Sequence, residues 1–134
     1  MTKAAIRQSL AECKTIAVVG LSPKPHRDSF RVAKYMQDHG FRIVPINPNA
    51  PEVLGEKAYA SLTEAAMHER IDMVNCFRNS EDIPPIAAEA IAIGAKSLWL
   101  QIGVVNDAAA KQATDAGLVV VQDLCLMVEH RQLG

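Results

Sequence analysis

Short apolar runs alternate with longer mixed stretches along this chain, and that alternation sets its reading. Thr15-Ile16-Ala17-Val18-Val19 is a continuous, β-branched-rich run, the mark of a strand buried on both faces. Ahead of it, Ile6 and Leu10 share one face of a short helix over 6–13, with Arg7 and Glu12 off that face. Behind it, Ser29 or Asp28 is suited to cap a helix that runs to about His39 and carries Val32, Ala33, Tyr35 and Met36 as its stripe.

Three later joints repeat one device. Gly40 precedes Phe41-Arg42-Ile43-Val44, Gly94 precedes a run ending Leu98-Trp99-Leu100, and Gly117 precedes Leu118-Val119-Val120-Val121. A glycine accepts the left-handed residue that ends a helix, and a strand starts at once. Further helices are expected over 62–68, over 81–93 with Pro84-Pro85 in the first turn, from the Asn106 cap to Ala116, and over 124–131. Residues 55–60 read as a short extended piece, and Asn47-Pro48-Asn49-Ala50-Pro51 as a loop. The main strands fall at about 15–19, 41–46, 71–77, 96–100 and 118–121. Right-handed crossovers then give an α/β fold: a doubly wound, parallel, five-stranded sheet in three α/β/α layers, with expected strand order 3-2-1-4-5. Pro45 is a misfit in that order, since it cannot donate to a ladder.

The 134 residues suit a single domain over 1–134, and 49% apolar with 22% charged residues is a globular composition. A net charge of -1 supplies no global field for nucleic acid or an anionic membrane. Cys13, Cys76 and Cys125 form no CxxC pair, which argues against a zinc site or a disulfide framework. The first residues lack the apolar core of a signal peptide, and no apolar run reaches the ~18 residues of a membrane span. A cytoplasmic protein is expected.

Chemistry in such a fold collects beyond the carboxyl ends of the strands, here expected near a switch point between strands one and four. Gly20-Leu21-Ser22-Pro23-Lys24-Pro25 leaves the first strand and opens a helix, with Lys24, Arg27, Arg31 and Lys34 set against Asp28. This is a local anion site at a helix start, suited to a diphosphate. It is not GxGxxG, and the second strand ends at Asn47 rather than the acid that would hold a nicotinamide-cofactor ribose. NAD(P) binding is therefore the weaker alternative. Arg78 follows the third strand and either meets a phosphate or pairs with Glu81 or Asp82. Cys125, just past the last strand, is the one thiol placed for redox chemistry, although a small buried hydrophobe is the commoner role for Cys. His26, His39, His68 and His130 show no ligand spacing, and Glu129-His130 reads as a surface pair. No nucleophile, base and oxyanion hole can be assembled, so no catalytic residue and no metal ligand is assigned.

The rim segments carry a family resemblance when taken together. They are Ile16 to Pro25, Ser29-Phe30-Arg31-Val32-Ala33, Pro45-Ile46-Asn47-Pro48-Asn49, Val74-Asn75-Cys76-Phe77-Arg78, Ala90 to Lys96 with Trp99-Leu100-Gln101, and Asp123 with Cys125. The chain resembles the small bacterial CoA-binding proteins, which are similar to the N-terminal CoA-binding domain of the succinyl-CoA synthetase α subunit standing alone. The resemblance implies a Rossmann-like fold and coenzyme A, or an acyl-CoA, as ligand. In the synthetases the further chemistry belongs to other domains, for which 134 residues leave no room, so ligand binding in a regulatory or carrier role is expected, with a homodimer or a protein partner left open. It sets Gly20, Leu21 and Ser22 along the diphosphate and pantetheine, and Ser29 and Arg31 on the phosphates. Asn47, Pro48 and Asn49 would flank the ribose and adenine. Phe77, Arg78 and Asn79 would close the other side, with Gln101 and Gly103 near the pantetheine arm. The chain departs from the pattern at Leu124, where many relatives carry a basic residue.

Overall fold

Strand β1 (Thr15–Val19) sits inside the sheet and is buried along almost its whole length, as its unbroken apolar run requires. The computed structural model describes residues 3–133. In chain order it contains α1 (Lys3–Glu12), β1, α2 (Asp28–Asp38), β2 (Arg42–Ile46), β3 (Glu52–Val53), β4 (Glu56–Lys57), α3 (Leu62–Ala66), β5 (Met73–Cys76), a 3-10 turn (Ser80–Asp82), α4 (Ile83–Ala92), β6 (Ser97–Leu100), α5 (Asp107–Asp115), β7 (Val119–Val121) and α6 (Leu126–Gln132). Five of the strands form one parallel sheet in the order β2-β1-β5-β6-β7.

Alternate side chains of each strand feed two cores. Ala17, Val19, Val44, Val74, Leu98 and Leu100 pack under α3, α4 and α5. Ile16, Val18, Ile43, Met73, Trp99 and Val121 pack under α1, α2 and α6. The three layers and the doubly wound sheet are therefore as expected.

The strand order is not. Counted along the main sheet it is 2-1-3-4-5 rather than 3-2-1-4-5, so the third main strand (β5) lies beside β1 and the switch point falls between β1 and β5. Asp72, just ahead of β5, explains the pairing. Its Oδ2 accepts the backbone N–H groups of Lys14 (2.9 Å) and Thr15 (3.1 Å), and its own N–H donates to the Thr15 carbonyl (3.0 Å). Pro45 agrees with this order, because β2 is the sheet edge and an edge tolerates a missing donor. The loop at Tyr59 covers that edge: its N–H donates to the Pro45 carbonyl (3.0 Å) and its carbonyl accepts from Asn47 (2.9 Å).

Smaller differences follow local chemistry. Neither Ser29 nor Asp28 caps α2; Arg27 holds the cap position without a side-chain bond, and Ser29 Oγ instead accepts the Ser22 N–H (3.0 Å). Residues 52–57 form a two-stranded hairpin around Leu54 (φ 57°) and Gly55 (φ 76°), a turn that Leu-Gly does not advertise. Asn106 caps α5 as expected, its Oδ1 accepting from Ala109 N–H at 3.0 Å.

Candidate functional site

The order β2-β1-β5 brings the loops after β1, β2 and β5 to one crevice. Gly20 makes the turn out of β1 at φ +85°, a conformation that costs glycine little and other residues more. Its amide donates to the Ile46 carbonyl (3.1 Å), and a Cβ there would meet Arg78 Cδ at 3.2 Å. The β1 turn and the Arg78 side chain from the next strand thus form one wall.

Three concavities run into one another along this rim. One of about 340 Å³ lies between Gly20, Asn47, Pro48, Asn49 and Arg78. The next, about 730 Å³, shares Gly20 and takes Ser22, Lys24, Arg27, Ser29, Phe77 and Gln101. The third, about 270 Å³, shares Phe77 and Gln101 and adds Arg31 and Cys125. The result is a groove from the end of β2, past Gly20, to the start of α6. Three adjoining concavities suit an elongated ligand, and the middle one takes in Asp28 and Ser29 at the N-terminal end of α2, where no side chain caps the first-turn amides.

Lys24 and Arg27 enter the groove with no ion pair among the described residues. Arg31 is turned to Asp28 and to the His26 carbonyl (3.1 Å). Arg78 reaches Asp82 at 3.6 Å, the pairing that competes with a phosphate. Leu21, expected along the ligand, is fully buried and lines none of the three concavities; its carbonyl accepts Asn47 Nδ2 at 2.9 Å. Asn47 Oδ1 accepts the Asn49 N–H at 2.7 Å, which commits both ends of that amide to shaping the loop.

Gln101 is held from behind. The Leu126 N–H donates to its Oε1 (3.0 Å), which fixes that atom as oxygen, so Asn75 must present Nδ2 to it (3.1 Å). Asn75 Oδ1 is then left buried with no partner among the described residues. Gln101 lines the groove with Oε1 occupied, leaving its Nε2 as a donor for a ligand carbonyl.

Other expected residues are brought less close. Asn79 is exposed and supplies its carbonyl to Asp82 N–H (2.9 Å) in the turn after β5. Gly103, at φ +83°, donates its N–H to Asp123 Oδ1 at 2.7 Å, an internal tie of the rim. Ile102, 68% exposed beside two of the concavities, was not foreseen, since a lone apolar residue past the strand end at 100 carries no signal of a ligand. The thiols separate cleanly. Burial pushes Cys76 up to about 12, and burial followed by the Asp72 charge does the same for Cys13, so both stay protonated and inert. Cys125 faces the groove.

The basic crevice lies at the switch point of a doubly wound sheet, the place where open α/β sheets hold their ligands. The family model described as "CoA binding domain" matches residues 14–131. The chain belongs to this family of CoA-binding domains. It is 45% identical over 129 residues to the uncharacterized protein YneT of Bacillus subtilis (strain 168), covering 96% of this chain and 94% of that one. A hypothetical protein from Pyrococcus horikoshii OT3 has the same fold at a TM-score of 0.93, with 40% identity, covering 100% of this chain and 94% of that chain. Acetate–CoA ligase (ADP-forming) II of Archaeoglobus fulgidus matches at 29% identity over 85 residues, which is 62% of this chain and 12% of the ligase. The resemblance to a ligase-type CoA-binding domain is thereby borne out. No described helix is long and apolar enough to cross a membrane.

Proposed function

We propose that the protein binds coenzyme A or an acyl-CoA in the rim groove, as a single non-catalytic domain over 1–134 with a regulatory or carrier role. The observation that carries this reading is the continuity of the groove from Asn47–Asn49 through Gly20 to Gln101 and Cys125. An adenine-bearing end fits the loop at 47–49, with a diphosphate over Gly20, Ser22 and the open amides of α2. The pantetheine amides would run past Gln101 Nε2 towards Cys125. Lys24, Arg27, Ser29, Arg31 and Arg78 surround the anionic middle; Phe77 is its apolar floor, and Asn79 and Gly103 support the rim. The ligase relative's CoA chemistry supports the choice of cofactor. NAD(P) is the poorer fit, because Asn47 stands where a ribose-binding acid is needed and both ends of its amide are spent on Leu21 and Asn49.

Isothermal titration with CoA, dephospho-CoA, NAD and ATP tests the reading. CoA is expected to bind best, and a preference for NAD would overturn it. Cys125 favours one addition. A CoA thiol at that end of the groove and the Cys125 thiol would give up two electrons and two protons to a peroxide, forming a mixed disulfide and two waters. Mass spectrometry after peroxide treatment is expected to find the CoA adduct on the wild type and none on Cys125→Ser.

A further inference from the structure

At the opposite end of the sheet a cavity of about 580 Å³ opens at the amino ends of β1 and β2. Its size is that of a small-ligand pocket, which typically spans about 300–1,000 Å³. Leu10, Phe41 and Leu133 supply apolar walls, and Arg7, Lys14, His39 and His130 supply charge or the capacity for it. The acids carried by the same elements, Glu12, Asp38 and Glu129, do not line it. Asp38 is already held by Lys34 at 3.0 Å. Among the described residues Arg7 and Lys14 have no ion pair and no acid lines the cavity, so its described lining is basic.

Its two imidazoles are held by packing. His39 Nδ1 lies 2.7 Å from the Tyr35 carbonyl, which only accepts, so that nitrogen carries a proton and Nε2 is the free one. His130 Nδ1 meets the Tyr35 hydroxyl at 2.9 Å. The His39 ring stacks on Tyr35 at 3.9 Å, and His130 meets His39 and Phe41 edge-on, each at 5.5 Å. Among the described residues, the charged or titratable groups that line the cavity with His130 are Arg7 from α1, Lys14 ahead of β1 and His39 after α2, all of them basic. Burial, and then His39, hold His130 below the usual imidazole value.

We propose that this cavity is a second binding site, separate from the CoA rim, for a small organic acid with an apolar body, and that its occupation is linked to proton uptake. The carboxylate would lie against Arg7 and Lys14 and the apolar body against Leu10, Phe41 and Leu133. The added negative charge reverses the bias on His130, so a proton binds with the ligand.

Benzoate is the probe, followed through the histidine ring resonances of the full chain by NMR at pH 6 and pH 8. Saturable shifts of His39 and His130 are expected, with a raised His130 midpoint and tighter binding at pH 6. The double variant Arg7→Glu/Lys14→Glu, altered only at exposed positions, is expected to lose about tenfold or more in affinity, about 1.4 kcal/mol. Arg27→Glu, on the CoA rim, is expected to bind benzoate as the wild type does. Absence of a saturable shift, or an unchanged affinity in the double variant, overturns the site. Sensitivity to Arg27→Glu alone moves benzoate to the rim and overturns it too. Affinity equal at both pH values overturns the proton linkage.

Discussion

Gly20→Ala separates the two jobs assigned to the turn after β1, and Gly94→Ala is its control. Both glycines have positive φ, +85° and +77°, so a side chain at either is strained. The strain is worth about 1–2 kcal/mol, and the stiffer unfolded chain returns about 0.4–1 kcal/mol, leaving a net cost between about 0 and 1.6 kcal/mol, about 0.8 kcal/mol at the midpoints. Unfolding entropy of about 2.1 cal/mol/K per residue over 134 residues is about 0.28 kcal/mol/K. Each variant should therefore melt about 3 °C lower, and at most about 6 °C lower. The surroundings differ. At Gly94 a Cβ meets nothing within 4 Å, whereas at Gly20 it meets Arg78 Cδ at 3.2 Å and the Phe77 carbonyl carbon at 3.7 Å. Arg78 is half exposed and gives way, so the extra stability cost is small. The methyl nevertheless stands in the groove, and Arg78 shifts with it. Gly20→Ala should lose about tenfold or more in CoA affinity, about 1.4 kcal/mol, while Gly94→Ala keeps it. Thermal melts followed by the fluorescence of buried Trp99, with CoA titrations on each variant, are the assay. Wild-type CoA affinity in Gly20→Ala would refute the groove assignment, and a raised melting temperature in both variants would refute the strain argument.

Three other outcomes follow from single contacts. Burial alone would raise the Asp72 carboxyl, but the Lys14 and Thr15 amides and then Lys96 outweigh it and hold it below its usual value of 3.8. Its stabilisation is thus complete above that value and is lost as pH falls through the lower, folded one. Asp72→Ala should cost about 3–6 kcal/mol near neutrality, from two charge-assisted bonds, and urea melts at successive pH values should show a flatter acid limb than the wild type. Gln101→Met keeps the volume but strands the Leu126 N–H and one hydrogen of Asn75 Nδ2, whose other hydrogen keeps the Trp99 carbonyl at 3.4 Å; a loss of about 2–6 kcal/mol is expected from two unmet buried N–H groups, measured by chemical denaturation. Arg31→Ala should weaken CoA only about two- to tenfold, because the guanidinium already serves Asp28 and the His26 carbonyl and exposed charge pairs are worth little. A larger loss for CoA than for dephospho-CoA in calorimetry would assign Arg31 to the 3′-phosphate.

What the sequence determined by itself is whatever short-range chemistry dictates. The β-branched run at Thr15–Val19, the glycine stops at Gly40, Gly94 and Gly117, and the Asn106 cap define the elements, because each depends on neighbours a few residues away. The basic turn at Gly20 and the missing GxGxxG were likewise readable, since they belong to one loop. The tertiary structure decided what depends on distant partners. The side of β1 taken by β5 rests on Asp72 meeting Lys14 and Thr15, 58 and 57 residues away in sequence. Pro45 carried the hint of an edge strand, but a missing donor names no neighbour. Arg31 looked free in sequence and is spent on its own loop, and Gln101 is aimed by Asn75 and Leu126 from other elements. The histidines looked scattered, yet His39 and His130 meet through Tyr35 because α2 and α6 pack on the same face of the sheet. Pattern along the chain specifies which faces are apolar; only packing those faces together decides which polar groups meet.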